Sequence, residues 1–339
     1  MIPRDKLPFL WFTQPINGVP KPWEHVKIEG VTVNAYEILR KRSALGKIVK
    51  LGIHRYLNFN GLIMMDSGGF QFMKFNKMEA NVSEIVELYL KANPDVCVAL
   101  DFPLSPGLSR AEIRRRLQTT LKNTRIMIET LGKLSRNFLP VIHGHDLKTI
   151  EWFIGELFKI SDFRAVGIGS LVPSVFTSKG AGSIYNVVTI VRHVRKLLPD
   201  KQIHVFGIGS TLTMHIMFAS GANSVDSAAW RVKAAHGAIQ LPGIGDRYIT
   251  ANRKHKPYPN LNEKELKVLK KCGCPACKEY SLEQIKQSFA LRAIHNAWVY
   301  QREIRKARKL MKEGTYSAYV WKILKDSKKF RGLYKLLKV

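Results

Sequence analysis

The strongest constraint on the fold is an alternation that repeats from about residue 60 to residue 230. An apolar run ends in small or polar residues and is followed by a stretch with helical apolar spacing. The runs end at Met64-Met65-Asp66, Val98-Ala99-Leu100-Asp101, Leu139-Pro140-Val141-Ile142-His143-Gly144, Ala165-Val166-Gly167-Ile168-Gly169, His204-Val205-Phe206-Gly207 and Ser224-Val225-Asp226. Segments 83–93, 109–131 and 185–198 read as the helices between them, and Val31-Thr32-Val33-Asn34-Ala35-Tyr36 extends the series toward the N-terminus. Strand and helix in alternation imply a parallel sheet, with polar residues gathered where strands end. An open doubly wound sheet and a closed barrel both put their sites there. Acids arrive from strands across the whole series, and only closure brings them into one cup. The expectation is therefore an α/β (β/α)8 TIM barrel over residues 1–265, a zinc-binding segment over 266–300 and a basic helical tail over 301–339.

The most informative strand end is Asp66-Ser67-Gly68-Gly69-Phe70-Gln71, directly after the apolar run Gly61-Leu62-Ile63-Met64-Met65. Two glycines let main-chain amides approach a ligand where a Cβ would obstruct. A tight turn with a capping Asp is the alternative explanation of the motif alone. Asp66, Asp101 and Asp226 each end a strand. Acids sharing one pocket divide into roles by environment: an ionised nucleophile, a proton carrier and a hydrogen-bond acceptor. Two carboxylates working in turn on a glycosidic bond give a covalent sugar-enzyme intermediate. A divalent metal held by the same acids competes with that reading, although no Asp-x-Asp or second acid adjoins any of them. Gly-Ile-Gly-Ser occurs at 167–170 and again at 207–210. Such loops can present amides to a base or phosphate, and equally serve as plain strand-to-helix turns.

Cys272-Gly273-Cys274-Pro275-Ala276-Cys277 puts three thiols within six residues, and His295 is the best fourth ligand for a tetrahedral Zn2+. Four protein ligands leave no open position, so the metal is expected to be structural. Cys97 reads as a core residue, and His54, His204, His215 and His236 as satisfied structural histidines. With 45% hydrophobic residues the chain can form a packed core. Few, bunched cysteines, no signal-peptide pattern and no apolar stretch near the ~18 residues of a membrane span give the expectation of a cytoplasmic protein with no membrane partner.

Lys and Arg number 55 against 26 acids, a net charge of +29, which favours polyanionic partners. Residues 301–339 hold 13 Lys or Arg and three acids, and Arg110, Arg114, Arg115, Arg116, Lys122 and Arg125 form a second cluster. Each cluster alone is explained by a solvated helix face. Together with the overall excess they suggest a surface for a phosphate backbone.

The chain resembles the tRNA-guanine transglycosylase family. The residues that carry the resemblance are His54-Arg55-Tyr56-Leu57, the Asp66 to Gln71 motif, Leu100-Asp101, Gly169-Ser170-Leu171-Val172-Pro173, Asp226-Ser227-Ala228-Ala229-Trp230, the cysteine cluster and His295-Asn296, in the family's order. The resemblance implies an enzyme that exchanges a guanine in a polynucleotide for a 7-deazaguanine base. It implies Asp226 as nucleophile, Asp66 as general acid/base and Asp101 as acceptor for the base's N1 and 2-amino donors. It also implies a main-chain amide from Gly169, and a pocket lined by Ser67, Gly68, Gly69, Phe70, Gln71, His143, Gly144, Ser170 and Leu171. His143-Gly144 departs from the family's Gln-Gly, which leaves the role of His143 open. Family members are often dimers with the zinc region near the interface.

The segments Gly169-Ser170-Leu171-Val172-Pro173 and Asp226-Ser227-Ala228-Ala229-Trp230 look closer to the archaeal-type branch than to the bacterial queuine one. The region after Gln71 is shorter than usual, and only a basic tail of about 40 residues follows the zinc segment where archaeal tRNA enzymes carry RNA-binding domains. These traits resemble the DpdA-like branch that inserts 7-cyano-7-deazaguanine into DNA, so DNA is slightly favoured over tRNA. The rival from another class is a non-catalytic nucleic-acid-binding or partner subunit, which would be expected to have lost one of the three acids.

Overall fold

The computed structural model describes residues 1–69, 71, 81–172, 184–242, 244–250, 259–327 and 330–337. Phe70 and Pro173, both named above, lie outside them. Nine parallel strand segments form one sheet: β1 (Phe9–Thr13), β2 (Gly30–Asn34), β3 (Leu62–Asp66), β4 (Val96–Val98), β5 (Phe138–Leu139), β6 (Val141–Ile142), β7 (Ala165–Ile168), β8 (Gln202–Val205) and β9 (Ser224–Ser227). β5 pairs with β4 and β6 with β7, while β9 pairs with β1. Only Pro140 separates β5 from β6. They are two halves of one stave, split where proline lacks the N–H that a ladder needs. Either side of the break, Leu139 accepts from Ala99 N–H at 3.0 Å and Pro140 accepts from Gly167 N–H at 2.8 Å. The sheet thus closes as eight staves, a (β/α)8-type barrel, as the alternation of the sequence implies.

The barrel interior is filled by Trp11, Met64, Val96, Leu139, Ala165, His204 and Ser224, while Val166, Val205 and Val225 alternate with inward-facing neighbours and point at the helices. Helices 82–92, 110–130, 147–158 and 184–197 surround it with buried apolar faces. Each begins where a cap satisfies its free N–H groups or where the alternation expects it. Ser109 accepts from Glu112 N–H, Asp146 from Thr149 N–H and Asn81 from Ser83 N–H.

After β9 the chain forms a short helix, Ala229–Ala235, and an antiparallel hairpin of β10 (Ala238–Leu241) and β11 (Gly245–Tyr248). Around it sits a small second core of Ile239, Leu241, Ile249, Leu269 and Ile285. The following helix, Phe289–Lys312, runs without interruption across the boundary expected at residue 300. Its Tyr300, Ile304 and Ala307 are buried in the main core, as are Tyr316, Val320 and Leu324 of the next helix. The tail is thus part of the packed fold. Glu303, 2% exposed, lies 3.1 Å from His215 Nε2 and accepts from Tyr319 O–H at 2.9 Å, while His215 Nδ1 meets the Tyr316 hydroxyl at 3.0 Å. That network clamps three helices together. Among the described residues no helix is long and apolar enough to cross a membrane.

Replacing Glu303 by Ala strands His215 and Tyr319 in the interior. The expected loss is about 3–5 kcal/mol, read as a lowered denaturant midpoint, with a smaller loss for Glu303→Gln.

Candidate active site

The C-terminal ends of the staves deliver Asp66, Asp101 and Asp226 to one cup. Register explains the level: Asp66 lies opposite Asn34 on β2, and Asp226 opposite Trp11 on β1. Asp226 Oδ1 accepts from Gly207 N–H at 2.6 Å, and its Oδ2 accepts from Thr13 Oγ1 at 3.1 Å. Asp66 Oδ2 accepts from Asn34 Nδ2 at 3.1 Å, while Asn34 Oδ1 caps the helix Ala35–Leu39 by accepting from Glu37 N–H. One amide thereby aims the carboxylate and is itself held in place.

Asp101, 6% exposed, accepts from Ser67 Oγ at 3.3 Å on Oδ1, and His143 Nε2 stands 2.9 Å from Oδ2. The His143 contact is close in distance but not aligned as a hydrogen bond, so its force is electrostatic. Asp101 also depends on Gly69, where a Cβ would collide with its Oδ1 and carbonyl oxygen. The loop after it is held by the helix Arg110–Thr130: Phe102 N–H donates to Thr120 Oγ1 at 3.0 Å, and Arg116 Nη1 to the Pro103 carbonyl at 2.7 Å.

Desolvation is the largest effect on Asp66 and, with the charges of Asp101 and Asp226, pushes its carboxyl up to about 7 against the pull of the Gly68 and Ser67 amides. A carboxyl that titrates near neutrality can both give and take a proton at working pH. Three like groups in one cup are thus made unlike by their neighbours.

Several expected residues take up different tasks. The Gly169 N–H, expected to face the base, donates to the Ile142 carbonyl at 3.0 Å within the sheet. What this glycine supplies is room, because a Cβ there would lie 2.5 Å from His143 Cε1. The Ser67 hydroxyl is buried and engaged with Asp101, and the Ser170 hydroxyl with His143 and Leu104, so neither is free for a ligand. Leu171, 2% exposed, belongs to the core. Gly144 is packed against Ile150, and Gly68 takes φ +95° in the turn after β3. Gln71 Oε1 is buried without a hydrogen-bond partner among the described residues.

Sequence reasoning missed Thr13, Asn34 and His204. The first two end staves, by the same rule that singles out Asp66. His204, read as merely structural, sits 2% exposed with Nδ1 2.9 Å from Ser224 Oγ and Nε2 3.4 Å from Asp226 Oδ1.

Apart from the cup, Cys272, Cys274, Cys277 and His295 bring their ligand atoms within 4.8 Å of one another. The three sulfurs lie 3.7, 3.4 and 3.3 Å from His295 Nδ1, separations suited to four ligands around one tetrahedral ion. His295 Nε2 donates to the Gln240 carbonyl at 2.8 Å, which leaves Nδ1 as the ligand atom. The donor set fits a metal ion. Neighbouring Asn296 accepts from Gln240 N–H at 2.8 Å and donates to the Trp230 carbonyl at 3.0 Å, joining this cluster to the helix that follows Asp226.

A model of the family described as queuine tRNA-ribosyltransferase matches residues 18–329. The chain belongs to that family. Its relatives include the tRNA-guanine(15) transglycosylases of Pyrococcus furiosus, 27% identical over 91% of this chain and 49% of the relative, and of Aeropyrum pernix, 29% identical over 88% and 54%. That of Methanopyrus kandleri is 27% identical over 87% of this chain and 61% of its own length. The chain spans about half the length of the curated relatives it matches. Within the family match fall all three cup acids and the Cys3His cluster.

Because Asp66 binds its proton more tightly folded than unfolded, its ionisation opposes folding. Its contribution is fully present below about pH 4 and declines as pH rises through about 7. Asp66→Asn is therefore expected to raise stability at pH 8 by on the order of 1–4 kcal/mol, and the gain should shrink toward pH 4. Paired denaturant curves across that range check it.

Proposed function

We propose that this protein is a guanine transglycosylase that exchanges a guanine in tRNA for a 7-deazaguanine base by double displacement. The observation that carries the reading is the differentiation of the three cup acids. Asp226, oriented by Gly207 N–H and Thr13, attacks the anomeric carbon, and guanine leaves. Asp66, poised near neutrality, gives the proton to the departing base and takes one from the incoming base. Asp101 accepts from the adjacent N1–H and 2-amino donors of the base, which must leave its stack to reach a walled cup. The incoming base then displaces Asp226 from the sugar, with configuration retained over the two steps.

tRNA is preferred here over the DNA favoured by the sequence, because the relatives reported are named for guanine 15 of tRNA. Part of the positive charge available to such a partner has other work. Arg115 and Arg116 bridge Glu112, and Arg308 pairs with Glu29 at 2.7 Å. Arg110, Arg114, Lys122 and Arg125 are exposed on the helix behind the Asp101 loop and offer contacts to phosphate. A Zn2+ bound by Cys272, Cys274, Cys277 and His295 would tie the turn at 272–277 to the helix Phe289–Lys312 and leave no position for substrate.

Labelled guanine or 7-cyano-7-deazaguanine incubated with tRNA and, separately, duplex DNA tests the reading. Incorporation into tRNA is expected. Label entering DNA alone would return the preference to DNA, and label in neither would overturn base exchange. Asp226→Ala should lower exchange by on the order of 10⁴-fold or more and abolish a covalent protein–RNA adduct on denaturing gels. Chelation should release one Zn2+ per chain and first remove hydrogen-exchange protection from residues 259–300; unchanged protection at full metal loss would contradict a structural site.

A further inference from the structure

His143 is the most confined ionisable side chain in the cup, and its surroundings point beyond a wall of the pocket. The ring is fully buried, with Nδ1 2.8 Å from Ser170 Oγ. That same hydroxyl oxygen accepts from Leu104 N–H at 2.7 Å, on the loop three residues after Asp101. The Asp101 carboxylate 2.9 Å from Nε2 favours the hydrogen of a neutral imidazole on that nitrogen, and Ser170 then donates its own proton to Nδ1 while its oxygen takes the Leu104 N–H. Nε2 faces Asp101 Oδ2 at 2.9 Å without hydrogen-bond alignment, and so keeps a buried donor in reserve beside the carboxylate.

Ser170 holds this position in the left-handed region, at φ +63°, which side-chain-bearing residues rarely occupy. A glycine would take that backbone conformation without strain but would lack the hydroxyl. The residue present is therefore the one that supplies the hydroxyl, at a cost in backbone ease.

We propose that Ser170 is a positioning residue for base selection: it holds the His143 ring with Nε2 beside Asp101, and the loop after Asp101 at Leu104, so that the cup prefers a base presenting a carbonyl beside two adjacent donors. The Nε2–H donor and the carboxylate acceptor form the complement of the 6-oxo, N1–H and 2-amino edge of guanine. Hypoxanthine, which has the carbonyl and N1–H but no 2-amino group, leaves part of the carboxylate unmatched. This inference rests on the reading of Asp101 as the acceptor for the base.

The test compares wild type, Ser170→Ala, Ser170→Gly and His143→Gln in exchange of labelled guanine and labelled hypoxanthine into tRNA, with melting temperature measured alongside. Both Ser170 variants should raise the KM for guanine by about tenfold, change kcat by less than about threefold and reduce the guanine-to-hypoxanthine preference by about tenfold. His143→Gln keeps an amide donor and should lose less preference than either. Both Ser170 variants leave Leu104 N–H and His143 Nδ1 without the hydroxyl and should melt below wild type, Ser170→Gly less so than Ser170→Ala because glycine accepts the backbone conformation. An equal loss of preference in the two despite unequal melting separates positioning from folding. Unchanged preference in Ser170→Gly would overturn the inference while wild-type exchange stands. Wild type that exchanges neither base would instead overturn the proposed function, and this inference with it.

Discussion

Closure of the parallel sheet on itself is the constraint on which everything else rests. β5 and β6 are each two residues long, and Pro140 between them cannot donate to the ladder. The stave survives because its two halves pair with opposite neighbours, and the proline carbonyl still accepts from Gly167. Without that closing stave, β4 and β7 would be edges, and the cup that holds the three acids would lack its wall on that side.

Closure also creates an electrostatic problem, since three carboxylates meet in a partly desolvated cup. Each is resolved differently. Asp226 receives a main-chain N–H and a hydroxyl, and Asp101 a hydroxyl with an imidazole alongside. Asp66 receives an amide and turn N–H groups but lies under the charges of the other two, so it keeps its proton to about pH 7. The group most useful for moving protons is thus the one whose ionisation is least favourable to the fold.

Behind the cup, two buried histidines stand at 2.9 Å and 3.4 Å from Asp101 and Asp226, each with its other ring nitrogen against a serine hydroxyl. The C-terminal third braces the same face from outside. His295 and Asn296, adjacent on one helix, reach the hairpin and the Trp230 carbonyl, and Trp230 Nε1 in turn donates to the carbonyl of Thr13 at 3.2 Å. Thr13 is the hydroxyl donor to Asp226, so the cysteine cluster and the cup are joined through a short run of hydrogen bonds.

What the sequence determined by itself was local chemistry and period. Apolar runs closing on Asp66, Asp101 and Asp226 specify strands that end in acids, and three cysteines on one turn specify ligands whatever surrounds them. Barrel closure was legible because acids were spread along the whole series. Tertiary structure alone decided which polar groups remain free. The amide of Gly169 and the hydroxyls of Ser67 and Ser170 look available in sequence, yet each is engaged by a partner 27 to 66 residues distant. His204 carries no motif, and only the neighbouring stave places it beneath Asp226. The tail, legible as charge, is fixed in the fold by Tyr316, Val320 and Leu324, whose partners are brought near only when the barrel has formed. Hydrogen-bond commitments between distant segments depend on register and packing, and no local pattern of residues encodes them.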